Sequence, residues 1–110
     1  MERKLIFSTE YIEFESQLSS RTQEKLRYAA TLLETLPVIS SRFVKKIVNT
    51  DFYELRVTVD NEVRVIIFSA DNENVNNAKT IIFLNGFIKK STKNYKKEIN
   101  KATQILRRIL

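Results

Sequence analysis

The sequence predicts an α+β domain with the element order β-α-α-β-β-β-α, a helical hairpin packed on a small, mostly antiparallel sheet. Three observations lead there. Apolar residues keep a three-and-four spacing across the first third of the chain and again near its end. Between them, residues 52–69 alternate with period two. One Gly and one Pro in 110 residues leave little chain for loops, and no linker, repeat or low-complexity segment divides it, so residues 1–110 are expected to form one domain.

Leu5-Ile6-Phe7 is a short strand. Ser8-Thr9 offers an N-cap, Glu10 and Glu13 suit a first helical turn, and Tyr11, Phe14 and Leu18 mark one buried face. Ser19-Ser20 interrupts this helix. Leu26, Ala29, Ala30, Leu33 and Leu36 continue the period up to Pro37, so two near-antiparallel helices are expected. Phe43, Val44, Ile47 and Val48 have a helix-like spacing over a stretch read as irregular or one helical turn.

In 52–59, Tyr53, Leu55, Val57 and Val59 share one face, with Glu54, Arg56 and Thr58 on the other. In 62–69, Val63, Val65 and Ile67 are apolar and Arg64 opposes them. A two-residue turn would pair Val57 with Arg64 and bury an arginine among apolar side chains. A three-residue loop, Asp60-Asn61-Glu62, pairs Val57 with Val65, Leu55 with Ile67 and Thr58 with Arg64. The odd loop therefore places Arg56 and Arg64 on one sheet face, one or two pleats apart. Residues 71–78 are polar and Asn-rich and read as a flexible connection. Residues 79–88 form a strand apolar on both faces, hence central, in which Gly86 permits close approach to the backbone. Ile99, Ala102, Leu106 and Ile109 carry an amphipathic C-terminal helix from about Asn94.

Composition restricts the chemistry. The chain lacks Cys and His, which removes thiol nucleophiles, disulfides, the usual neutral-pH base and the commonest zinc ligands. No metal or cofactor is expected. No apolar run approaches the roughly 20 residues of a membrane span, and no signal-peptide pattern opens the chain, so a cytoplasmic protein without membrane contact is expected. The net charge of +6 is unevenly spread: residues 86–110 hold eight Lys/Arg against Glu98 alone. Such a segment attracts polyanions, chiefly nucleic acid, or is simply a solvated lysine-rich helix.

The sharper candidates are few. Arg56 and Arg64 share a sheet face with Glu54, Lys45-Lys46 precede the hairpin, the last strand ends in Phe87-Ile88-Lys89-Lys90, and Lys93 and Tyr95 follow. Cations round a shallow face suit a phosphodiester: arginine forks bind phosphate oxygens and stabilise extra negative charge in the transition state. Lysines crowded by other cations serve in proton transfer, and an RNA 2′-hydroxyl supplies the nucleophile. Phe87 is either a core residue or, like Tyr95, a base-stacking platform. Arg64 is either a substrate ligand or half of an exposed salt bridge with Glu54.

The segments Asp51-Phe52-Tyr53-Glu54-Leu55-Arg56-Val57, Glu62-Val63-Arg64-Val65, Phe83-Leu84-Asn85-Gly86-Phe87-Ile88-Lys89-Lys90 and Lys93-Asn94-Tyr95-Lys96-Lys97-Glu98-Ile99, with Ala102 beyond, resemble the RelE/ParE toxin superfamily in order and spacing. The likeness is to its phage-derived HigB-like branch and covers about residues 44–102. It implies a toxin of a type II toxin–antitoxin pair, with a helix-turn-helix antitoxin as partner and operator DNA reached only through it. RelE- and HigB-like members cleave mRNA on the ribosome without metal. ParE-like members poison DNA gyrase instead, and inactive members only bind the antitoxin. Carried onto this chain, the resemblance makes Arg56, Arg64, Lys89, Lys90 and Lys93 the catalytic candidates, with Lys46, Glu54, Phe87 and Tyr95 as RNA-binding candidates. The chain departs from the family's Thr-Pro at Asn94-Tyr95.

Overall fold

The structure, a computed structural model, describes residues 2–110. The elements run β1 (Lys4–Phe7), α1 (Thr9–Ser16), α2 (Ser20–Thr35), β2 (Val44–Lys46), β3 (Tyr53–Thr58), β4 (Glu62–Ser69), β5 (Thr80–Ile88) and α3 (Lys93–Ile109). The five strands form one sheet in the order β1-β5-β4-β3-β2, with β1 parallel to β5 and every other pair antiparallel. The expected α+β hairpin-on-sheet architecture is present, with one more strand than the sequence indicated.

That strand is β2, over part of the segment expected to be irregular or a helical turn. The spacing of Phe43, Val44, Ile47 and Val48 is not a helical face: Val44 pairs with Leu55 and Ile47 closes a turn, its N–H donating to Phe52 O at 3.0 Å. Asn49 takes φ 62° in this turn, a conformation asparagine tolerates.

Serine hydroxyls start both N-terminal helices. Ser8 Oγ accepts from Tyr11 N at 3.0 Å and Ser19 Oγ from Thr22 N at 3.2 Å. Ser8 also donates to Leu84 O, fixing α1 to β5. α1 and α2 bury Tyr11, Leu26, Ala29 and Leu33 against Leu55, Val57, Val63, Val65, Ile67, Ile81 and Phe83. Each fully buried leucine here contributes about 1.5–3 kcal/mol. Gly86 lies on this face, where a Cβ would meet the Phe14 ring at 2.3 Å, so the expected close approach is made by that ring. α3 covers the opposite face, packing Ala102 and Ile105, with Ile99 and Leu106 beside them, on Ile66, Ile82, Leu84 and Phe87. Ile109, expected in that stripe, is 38 % exposed, and Ile105 takes its place.

The β3–β4 loop has the expected odd length, but the register is shifted by two residues. The connection is Val59-Asp60-Asn61, and Val57 pairs with Val63, Leu55 with Val65 and Arg56 with Arg64. A shift by two leaves every side chain on its face, so alternation alone does not distinguish the registers. The loop keeps three residues but starts one earlier, the ladder closing at the Thr58–Glu62 pair, and Val59 N–H donates to Asn61 O at 3.3 Å.

The 71–78 connection is not a loose tether. Asp71 accepts from Lys79 N and Thr80 N at 2.9 Å, and these bonds hold its carboxyl below the usual range. Asn72 and Asn74 each accept from the backbone two residues on, and Val75 and Ala78 are buried. Asn76 is joined to Ile39 N through its side chain and to Arg3 through its carbonyl. Arg3 is the organiser here. Its guanidinium, 6 % exposed, donates to Leu33 O, Leu36 O, Pro37 O and Asn76 O, closing the C-terminal end of α2.

Candidate phosphate-binding site

Three strands place one polar row under the start of α3. Arg56 on β3 stands directly opposite Arg64 on β4, and Arg64 stands opposite Phe87 on β5. Directly opposed residues share a face, so the two arginines and Phe87 all point to the α3 side. A register shift between Ile66 and Ile67 leaves Leu84 as the extra residue of β5. This bulge turns Asn85 and Phe87 toward α3 while Phe83 and Gly86 remain against α1. Asn85 is buried and its Nδ2 donates to Glu98 O and Oε1 at 3.1 and 3.0 Å, tying β5 to the second turn of α3.

Each arginine has a carboxylate two residues away on its own strand. Arg56 Nε is 3.4 Å from Glu54 Oε1, and Arg64 Nη2 is 3.0 Å from Glu62 Oε1. Arg64 Nη1 also donates to Val63 O at 3.1 Å. The expected alternative partner of Arg64, Glu54, belongs instead to Arg56, and Arg64 is not exposed: its side chain retains 2 % of its accessible surface against 34 % for Arg56.

Tyr95, in the first turn of α3, closes the row. Its ring meets Phe87 edge-on, centroids 5.4 Å apart at 88°. Burial, with the Glu54 carboxylate beside the hydroxyl, pushes the phenol above its ordinary value, and Arg64 opposes the rise. Lys89 Nζ lies 5.9 Å from the Tyr95 ring centroid. Lys89 N–H donates to Glu62 O at 2.8 Å, extending the β4–β5 ladder by one step and directing Lys89 to the same face as Phe87. Lys90 and Lys93 are exposed at the rim. Asn94 orders this rim: its Oδ1 accepts from Lys90 N at 2.9 Å and Ser91 N at 3.0 Å.

The structure thus brings together Glu54, Arg56, Arg64, Phe87, Lys89 and Tyr95. Lys46 is not with them. It pairs with Tyr53 on the α1/α2 face, its Nζ 5.0 Å from that ring. Its neighbour Lys45, opposite Glu54, is on the arginine face. Glu62 was missed as a site residue because the sequence assigned it to the loop. Of the two readings of Phe87 it is the core one that holds: the residue is 7 % exposed, its ring edge-on to Tyr95. Among the described residues no group of three or more Asp, Glu, His or Cys could hold a metal, and no helix is long and apolar enough to cross a membrane.

A family profile described as phage-derived Gp49-like protein matches residues 13–107. A direct comparison with curated protein sequences gives no match. Among solved structures, the free toxin RelE of Escherichia coli, in a variant with two arginines replaced, superposes with TM-score 0.66 at 16 % identity over 100 % of both chains. A chain of the RelBE2 toxin–antitoxin complex of Mycobacterium tuberculosis gives 0.59 at 15 % identity, covering 81 % of this chain and 100 % of that one. A chain of the intact E. coli RelBE complex gives 0.58 at 19 %, over 81 % and 99 %. The chain belongs to the phage-derived Gp49-like family and has the fold of the RelE toxins.

Proposed function

We propose that this protein is the toxin of a type II toxin–antitoxin pair, acting in the cytoplasm as a metal-independent, ribosome-dependent mRNA endoribonuclease of HigB-like type. The observation that carries the reading is the direct cross-strand pairing of Arg56 with Arg64, flanked by Lys89 and Tyr95. Two guanidiniums on adjacent strands present fork donors to one phosphodiester. Attack by the RNA 2′-hydroxyl on the adjacent phosphorus forms a 2′,3′-cyclic phosphate and breaks the bond to the 5′-oxygen. The arginines stabilise the additional charge on the pentacoordinate phosphorus. One proton leaves the 2′-hydroxyl and one reaches the departing 5′-oxygen. One of the lysines serves this transfer: Lys89, whose ammonium lies by the Tyr95 ring, or Lys90 or Lys93 at the rim. Phe87 backs the Tyr95 ring, which stacks on a base.

Two of the similar structures come from complexes of toxin with antitoxin, which supports a cognate antitoxin as partner here, of helix-turn-helix type and carrying any contact with operator DNA. Inducing the protein in cells and mapping mRNA 5′ ends tests the activity: new ends within coding regions are expected, and growth arrest with intact transcripts sinks the RNase reading. The burial of Arg64 favours one other reading, a non-catalytic toxin of gyrase-poisoning type or an inactive, antitoxin-binding relative. In that case Arg56→Ala leaves the phenotype unchanged.

A further inference from the structure

Two arginines directly opposed on adjacent strands repel one another, and this pair is held by two carboxylates placed diagonally. Glu54 flanks Arg56 toward one end of the hairpin and Glu62 flanks Arg64 toward the other, giving a quartet of zero net charge. The two ion pairs are opposite in exposure. In the first, the arginine is 34 % exposed over a carboxylate that is 8 % exposed; in the second, the arginine is 2 % exposed under a carboxylate that is 53 % exposed. Glu54 is therefore enclosed, whereas the Glu62 carboxylate already reaches water, and its departure would open the Nη2 side of Arg64.

A phosphate reaching Arg64 needs its guanidinium N–H groups. One nitrogen is engaged with Val63 O, one with Glu62, and Nε is buried with no partner. The group a phosphate would most readily replace is the half-exposed Glu62 carboxylate, an anion already seated on the fork. We propose that Glu62 is a displaceable counter-ion for the substrate phosphate: it holds Arg64 in place in the free protein and gives up Nη2 when the phosphate arrives. This positioning role rests on the reading of Arg56 and Arg64 as the phosphate site. Glu62 acts through Arg64 and takes no part in bond breaking.

A placeholder anion competes with the ligand, so removing its charge strengthens binding, whereas loss of a merely structural contact weakens it. Glu62→Gln keeps the size and one hydrogen-bond acceptor. The test is titration of the ¹⁵N-labelled protein with inorganic phosphate, read at the Nε–H resonances of Arg64 and Arg56. The half-saturating phosphate concentration at Arg64 is expected to fall about fivefold in Glu62→Gln, the upper end for one partly exposed ion pair. Glu24→Gln, an exposed position on α2 across the sheet, controls for overall charge and is expected to match the wild type. If phosphate moves the Arg64 resonance equally in wild type and Glu62→Gln, or binds the variant more weakly, or if Glu24→Gln reproduces the gain, the placeholder is overturned while the phosphate site stands. If phosphate moves neither arginine in any variant, both fail.

Discussion

Removing either arginine should destabilise the protein, but by different physics, and the difference is measurable. Arg56→Ala removes a one-third-exposed side chain and so loses little packing, yet it leaves the Glu54 carboxylate, 8 % exposed, without its ion-pair partner. Leaving a nearly buried carboxylate without its ion-pair partner costs about 1–3 kcal/mol. Adding Glu54→Gln removes the stranded charge and should recover most of that loss. Arg64→Ala leaves Glu62 in water at no such cost, because that carboxylate is half exposed. What it loses is the buried stem of a side chain 2 % exposed, about 0.8 kcal/mol for each of three methylenes plus a cavity term, about 2–4 kcal/mol in all. Glu62→Gln should not rescue it. Urea unfolding of wild type, the four single variants and the two double variants, with midpoints compared at constant m-value, reads both cycles. Recovery of Arg64→Ala by Glu62→Gln, or failure of Glu54→Gln to recover Arg56→Ala, would refute this account of the quartet.

Three further outcomes are expected. Gly86→Ala drives a methyl group into the Phe14 ring at 2.3 Å and should cost about 1–3 kcal/mol, a Tm drop of about 4 °C per kcal/mol, with much of the loss absent in a Phe14→Ala background; additive effects in calorimetry would show that the ring simply turns away. The Glu10–Arg108 fork, at 2.6 and 2.7 Å, draws the Glu10 carboxyl down to about 2 and joins the start of α1 to the end of α3. A folded-state value below the ordinary 4.5 means stability present above pH 4.5 and lost as pH falls toward 2, so the urea midpoints of wild type and Glu10→Gln should converge over that window. The Tyr95 phenol lies above the ordinary 10.0 and stays protonated through neutral and mildly alkaline pH, so the pH profile of cleavage should keep its shape below pH 10 in Tyr95→Phe; a limb that disappears with the hydroxyl would contradict this.

The sequence carried the parity of the site but not its register. Val57, Val63, Val65 and their polar neighbours alternate so regularly that the two arginines had to share a face; whether Arg64 faced Thr58 or Arg56 turned on a shift of two, to which alternation is blind. The same limit explains Lys45 and Lys46. With β2 only three residues long and flanked by apolar residues at helical spacing, no strand phase was available to show which lysine shared the arginines' face. Long elements such as α2 and β5 were legible because a 16-residue helix repeats its three-and-four spacing several times and a nine-residue apolar run marks a central strand. Arg3 left no signal at all: its four carbonyl partners lie 30 to 73 residues away, and nothing local marks it as buried. The burial of Arg64 was illegible for a related reason, since Phe87 opposite it and Tyr95 beside it belong to elements joined to it only by the fold.

The central claim is that Arg56 and Arg64 form one phosphodiester site that cuts mRNA. Its most direct test is cleavage of a 5′-labelled mRNA on programmed ribosomes by the purified protein, comparing wild type with the Arg56→Ala/Glu54→Gln variant, whose fold is expected to be intact. The account predicts discrete cuts bearing 2′,3′-cyclic phosphate ends by the wild type, and a rate lower by about 100- to 1,000-fold in the variant, the usual cost of removing one transition-state donor. Cleavage by the variant at the wild-type rate, or none by a wild-type protein that still arrests growth, would contradict it.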